Sequence, residues 1–241
     1  MPTASSRVCL VTGSSRGLGL AVAQALGAAG DHVHVLHRNP ERAYPLERSF
    51  PGRVHSGSLD GPDQARSLIA SILEQDGRLD VLVHAVGPYF EGGLEDTSGE
   101  RFRELVDGNL FTAVDLVDAA RASLRAAKGC ALFFGVSGLG GQRARSTNAA
   151  YVAAKSALRS YGRSLALQEA PHGVRVNLLS PGVVPHPGAS EDTLDPAVQA
   201  QVPIGRAGTP TDIAQAAVFL CSPAADHITG QDVEVAGGYL L

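Results

Sequence analysis

The sequence has no tryptophan, a single methionine, and only two lysines, Lys128 and Lys155, against eighteen arginines. Charged residues make up 18% of the 241 positions and the net charge is −4, so the basic surface that phosphate backbones require is missing and a nucleic-acid partner is not expected. No apolar run approaches the roughly 20 residues needed to span a bilayer. The first residues, MPTASSRVCLVTG, lead from a lone Arg7 straight into a strand-like run, which does not read as a signal peptide. The three cysteines, Cys9, Cys130 and Cys221, stand singly in apolar stretches without paired spacing. They are expected to be buried free thiols in a reducing, cytoplasmic setting. What the chain does have is a 44% hydrophobic content, enough for a large core in one α/β domain of this length.

Apolar runs alternate with helical patterns along the whole chain. Strands are predicted at Arg7–Val11, Val33–Leu36, Val54–Ser56, Val81–Ala85, Ala131–Val136, Val174–Leu179 and Asp232–Val235. Helices are predicted at Leu18–Ala29, Ala65–Glu74, Arg101–Ala127, Tyr151–Glu169 and Thr211–Leu220. Continuously apolar strands alternating with helices imply a doubly wound parallel sheet covered on both faces, with ligands at the carboxyl ends of its strands. Pro181–Pro203, rich in Pro, Gly, Ser and Asp, is the one long loop-like stretch and is expected to act as a substrate lid.

The segment VTGSSRGLGLAVAQAL joins the first strand to the first helix. Gly13 supplies a sharp turn, Gly17 a close backbone approach and Gly19 tight helix–strand packing. The helix start at Leu18 then presents free N–H groups to a pyrophosphate. An NAD site would place an acid at the tip of the second strand, but DHVHVLHRN ends in His37 and Arg38. Arg38, helped by Arg16 and Ser14, suits a 2′-phosphate, so NADP(H) is expected.

One of the two lysines lies four residues after a tyrosine in AAYVAAKSALRSYG. Tyr151 and Lys155 therefore share a helix face, where an ammonium brings the phenol toward a usable proton donor and can also reach ribose hydroxyls. Ser137, at the end of the fifth strand, can hold a carbonyl oxygen; the bland alternative is a turn cap. Asn109, in VDGNLFTAV, can bond a water linking Lys155 to solvent; its bland alternative is a satisfied core amide.

Together TGSSRGLG, Asn109, Ser137, Tyr-x-x-x-Lys and the SPG of Ser180–Gly182 resemble the short-chain dehydrogenase/reductase family over essentially the whole chain. The C-terminal stretch from VPIGRAGTP onward is similar to its 3-oxoacyl carrier-protein reductase-like branch. The resemblance implies a single-domain, Rossmann-type seven-stranded sheet and hydride transfer between nicotinamide and a carbonyl or alcohol carbon. It implies Tyr151 as general acid, Lys155 as its modifier and ribose ligand, Ser137 as carbonyl holder and Asn109 as relay. It also implies a homo-oligomer, tetramer or dimer, formed through the helices carrying Asn109 and Tyr151.

Departures from the family pattern shape the rest of the expected site. HAVG replaces the usual Asn-Asn-Ala-Gly, leaving Ala85 and Gly87 beside the cofactor and an imidazole, His84, to supply some of the missing asparagine's hydrogen bonds. A metal role for His84 is not expected, because no partner ligand is spaced to help it. Ser58 stands where an Asp often meets the adenine, which shifts that contact to the backbone of Leu59. His186 stands where a threonine often bonds the carboxamide, which leaves Pro181, Gly182 and Val184 to hold the nicotinamide and makes His186, with Tyr89, a substrate contact. An extra residue or so in GQRARSTN brings Arg143 and Arg145 to the substrate border, though a solvated surface charge is the leading reading for both. The expected activity is reduction of a small-molecule carbonyl or acyl thioester. A pterin, quinone or other cyclic ketone is the alternative substrate, and a non-catalytic NADP-binding sensor the alternative of a different class.

Overall fold

The protein is described by a computed structural model covering residues 6–39, 41, 43–141, 144–185 and 196–240. Seven strands form it: β1 (Val8–Thr12), β2 (His32–His37), β3 (Val54–Ser56), β4 (Val81–His84), β5 (Cys130–Phe134), β6 (Arg175–Pro181) and β7 (Asp232–Val235). All pair in parallel, in the order β3-β2-β1-β4-β5-β6-β7. The order reverses between β1 and β4, and a doubly wound sheet opens its ligand crevice at that switch. The expected Rossmann-type seven-stranded sheet is therefore the observed one.

The sheet buries both faces, and the period of two sorts its side chains. In β1, Val8 and Leu10 pack with α3 (Pro62–Asp76), α5 (Thr112–Ala127) and α6 (Ala149–Glu169). Cys9 and Val11 pack with α1 (Gly17–Ala28), α2 (Ala43–Ser49) and α8 (Pro210–Cys221). The three cysteines are free and buried, as their apolar settings imply. Between α3 and α5 lies α4 (Gly99–Val106), and a short α7 (Pro196–Gln199) precedes α8. Local chemistry fixes several ends. Ser98 caps α4 by accepting from Arg101 N, and Thr209 and Asp212 close a reciprocal box at the start of α8.

Two boundaries differ from the sequence expectation in ways that matter. The predicted single helix 101–127 is α4 and α5 joined by a π-helical turn, Asp107–Phe111, with buried Asn109 inside it. An i→i+5 turn inserts one residue into the helical ladder and re-aims the side chain there. The predicted strand 131–136 stops at Phe134, and 135–137 continue as irregular backbone still tied to β6, Gly135 N to the Leu179 carbonyl at 2.9 Å and Ser137 N to the Pro181 carbonyl. Of the expected lid 181–203, residues 186–195, and with them His186, lie outside the described residues.

Candidate active site

The first glycine of the turn is dictated by sterics. Gly13 has φ +70°, and a Cβ there would stand 2.5 Å from the carbonyl oxygen of Ala85. Only glycine lets β1 pass that close to the end of β4. The start of α1 has no side-chain cap and no acid in its first turn, so its N–H groups are left for a ligand. Arg16 and Arg38 are exposed beside this turn and make no ion pair among the described residues. Two cations without an acid are a donor set suited to phosphate.

Two other residues expected at this end face inward instead. The Ser14 hydroxyl donates to the Val11 carbonyl at 2.8 Å and accepts from Leu36 N at 3.1 Å, tying β1 to β2. His37 is buried, with Nδ1 2.8 Å from the Asn39 carbonyl and Nε2 2.8 Å from Ser56 Oγ. With both ring nitrogens engaged, His37 shapes the strand tip and does not reach outward as a side-chain contact. The Ser58 hydroxyl is held by Asp60, and Leu18, Leu59 and Val184 pack their side chains against the core. Any contact these residues make to a cofactor falls to their backbone.

At the centre, the Lys155 ammonium is buried and donates to the Phe134 carbonyl at 2.7 Å, the last residue of β5. That is its single hydrogen bond among the described residues, leaving two N–H donors for a ligand. The same ammonium lies 5.7 Å from the centre of the Tyr151 ring. Gly87 lies against both Lys155 and Asn109: a Cβ there would fall 2.0 Å from Asn109 Oδ1 and 3.2 Å from Lys155 Nζ. Asn109 donates through Nδ2 to the carbonyls of Pro88 (3.0 Å) and Leu105 (2.9 Å), while its Oδ1 is buried without a partner. Ser137 is buried and anchored by its backbone N–H to the Pro181 carbonyl at 3.1 Å. Its hydroxyl bonds no described residue. Gly182 passes so close to Ala236 that any side chain would collide at 2.7 Å, which fixes the path of the loop leaving β6.

The electrostatics run partly against the sequence expectation. Burial lowers Lys155 to about 8, and burial followed by the neighbouring Tyr89 raises the Tyr151 phenol above its ordinary value. Desolvation thus sets the direction for the phenol, against the lowering expected from the neighbouring ammonium. Tyr151 is half-buried, and Tyr89 meets it edge-on with ring centres 5.0 Å apart.

His84 braces the site from inside. It is buried, with Nδ1 2.9 Å from Thr12 Oγ1 and Nε2 3.1 Å from Thr112 Oγ1. Because the Thr112 hydroxyl donates to the Gly108 carbonyl, His84 donates to it through Nε2–H and accepts from Thr12 at Nδ1. This chain pins β1 and β4 to the π-helical turn that carries Asn109. Burial, then the nearby Lys155 charge, lowers His84 to about 3, so the ring is neutral. The far end of α6 is held by Glu169, which accepts from Arg125 Nε at 2.7 Å and Arg121 Nη1 at 3.1 Å. Sequence reasoning missed the Phe134 carbonyl, which no side-chain pattern could reveal.

A doubly wound parallel sheet with a tyrosine, lysine, serine and asparagine at the carboxyl ends of its central strands is the arrangement of a Rossmann-type oxidoreductase. The chain belongs to the short-chain dehydrogenase/reductase family. Residues 13–240 match the family model described as Enoyl-(Acyl carrier protein) reductase. It is 33% identical to an L-fucose dehydrogenase of Bos taurus, over 97% of this chain and 89% of that one. A tropinone reductase homolog of Arabidopsis thaliana is 31% identical over 98% of this chain and 93% of the relative. Among solved structures, a blue fluorescent protein from a metagenomic library in complex with NADPH superimposes with a TM-score of 0.88 at 26% identity, covering 98% of each chain. Among the described residues no group of His, Cys, Asp or Glu is arranged to hold a metal, and no helix is long and apolar enough to cross a membrane.

Proposed function

We propose that the protein is an NADPH-dependent reductase of a small-molecule carbonyl. The observation that carries this reading is the Lys155 ammonium, buried beside Tyr151 with two N–H donors free and the unpartnered Asn109 oxygen near by. A nicotinamide ribose offers the hydroxyls that such a set requires. Arg16 and Arg38 at the far end, with no acid at the tip of β2, supply the preference for a 2′-phosphate. The NADPH complex of the structural relative supports the same cofactor. When bound, NADPH supplies the hydride.

This chain's own residues hold the substrate and move the proton. Ser137 donates its free hydroxyl to the carbonyl oxygen and orients it. Tyr151, whose raised pKa keeps it protonated, donates its proton to that oxygen as negative charge develops there. Lys155, one turn along, offsets the charge left on the phenolate. Asn109, held by the π-helical turn, relays a proton from solvent through water. The finer substrate suggested by the C-terminal stretch is a 3-oxoacyl thioester, whereas the relatives' names point to sugars and bicyclic ketones. Assembly as a dimer or tetramer through α4–α5 and α6 belongs to the same reading and is supported by Phe111 and Leu167, which are exposed on those helices. The test is NADPH and NADH oxidation with an acetoacetyl thioester, dihydrobiopterin, quinones, aromatic ketones and a sugar lactone, with L-fucose and either oxidised cofactor in the reverse direction. The reading expects turnover of at least one carbonyl with NADPH preferred. No turnover of any, with NADPH bound normally, overturns it.

A further inference from the structure

Arg145 is the one described arginine that is withdrawn from solvent without a hydrogen bond or ion pair to any described residue. Every other half-buried arginine is matched: Arg7 to Asp31, Arg53 to Asp76, Arg121 and Arg125 to Glu169, Arg159 to Asp232, and Arg175 to carbonyls of α8 and the loop after it. The unmatched others, Arg16, Arg38, Arg48, Arg103 and Arg163, are exposed. A guanidinium partly removed from water with nothing in exchange is costly, and proteins tolerate that where a ligand completes the set.

The place of this cation is specific. A Cβ on Gly138, the residue after Ser137, would stand 3.0 Å from Arg145 Nη2 and 3.1 Å from Leu240 Cδ1. The guanidinium therefore lies over the backbone that positions the carbonyl-holding serine. The carboxylate nearest that backbone, Glu234, is committed to Gly138 N at 3.0 Å and is not within ion-pairing distance of Arg145. Three residues further on, Asn148 sits in the left-handed region at φ 52°, with its side-chain oxygen buried and unpartnered. It begins the helix that carries Tyr151. An unmatched cation and an unmet polar oxygen three residues apart, at the start of the helix that bears the reacting phenol, are the donor and acceptor a ligand would complete.

We propose that the substrate is an anionic carbonyl compound whose carboxylate or phosphate is received by Arg145, with Asn148 hydrogen-bonding a neighbouring polar group. This rests on the reductase reading above and narrows it to substrates carrying a negative charge. It also revises the expectation that Arg145 is only a solvated surface charge.

The test compares matched pairs with NADPH: levulinate against methyl levulinate, and dihydroxyacetone phosphate against dihydroxyacetone. A charge-assisted pair predicts about a 10- to 100-fold preference in kcat/KM for the anionic member of at least one couple. Which couple shows it distinguishes carboxylate from phosphate. Arg145→Gln removes the preference through KM and leaves the neutral member within about threefold. Arg145→Lys restores part of it. Equal use of charged and neutral members, or a preference unchanged in Arg145→Gln, overturns the proposal while leaving the reductase reading intact. A parallel arm needs no turnover: calorimetric binding of butyrate, phosphate and butyramide to the NADPH-loaded protein. Anion binding that weakens about tenfold or more in Arg145→Gln supports the site even if no carbonyl is reduced. Binding of neither anion, or binding indifferent to Arg145, counts against it.

Discussion

The neutral, buried His84 ring makes the protein's stability depend on pH in a way that one substitution isolates. Its pKa falls from an ordinary 6.5 in the unfolded chain to about 3 in the fold. The neutral form is thus favoured on folding, and the stabilisation is fully present above 6.5. It is lost progressively as pH falls toward 3, because the unfolded chain takes up a proton that the fold refuses. Each pH unit below 6.5 costs about 1.4 kcal/mol, so at pH 5 the loss is about 2 kcal/mol. The perturbation is His84→Asn, whose shorter amide cannot span Thr12 and Thr112 together and which does not titrate. At pH 7.5 the parent should be the more stable by about 1–3 kcal/mol, the worth of a buried bridging group. Urea unfolding of both proteins at pH 7.5, 6.5, 5.5 and 5 measures the difference, in which the other titrating groups, such as His34 and His55, cancel. The parent's advantage should shrink by about 2 kcal/mol between pH 7.5 and 5. An advantage constant to within about 0.5 kcal/mol would mean that the imidazole is not buried neutral between the two threonines.

Other expectations follow from the same geometry. Arg38→Asp should reverse the cofactor preference, lowering kcat/KM for NADPH by about 10- to 100-fold and raising that for NADH; an unchanged ratio removes Arg38 from 2′-phosphate recognition. Because burial brings Lys155 to about 8, its ammonium is lost above that pH, and the affinity for NADPH should fall as pH rises past it, a slope absent in Lys155→Met. NADPH fluorescence titrations across this range read the effect directly. Gly87→Ala would drive a methyl into Asn109 Oδ1, so activity should fall at least about tenfold with the far-ultraviolet circular dichroism unchanged. Phe111→Glu should shift the sedimenting species toward monomer if the exposed helix face pairs two copies.

Much of this architecture was legible because its causes are local. Continuous apolar runs marked the central strands, since a parallel sheet buried on both faces leaves no polar alternation to blur them. Gly13 is legible because a tight βα turn has no steric alternative, whereas Gly19, expected to pack against a strand, lies against the turn itself, where a Cβ would stand 2.3 Å from the Gly13 carbonyl oxygen. The edge of the site was harder. His37 and Ser14 carry the right chemistry at the right place in the chain, yet tertiary packing turned both side chains inward, and side-chain direction is not written in spacing. The π-helical turn at Asn109 has no pattern of its own, so 101–127 looks like one ordinary helix. The Lys155 partner is a backbone carbonyl, invisible in any residue pattern. The raised Tyr151 was missed because the sequence shows a neighbouring charge but not the burial that competes with it. His84 was a visible departure, and only the fold shows the two threonines it joins.

In the proposed reduction Tyr151 gives up the proton while Lys155 holds the charge left behind. The most direct measurement of this step is turnover and NADPH binding in Tyr151→Phe, made together on the best substrate of the panel. Turnover should fall by about 100- to 10,000-fold, the range for loss of a general acid, with the dissociation constant of NADPH within about threefold of the parent. A Tyr151→Phe protein that keeps more than about a tenth of the parent's turnover would contradict that assignment.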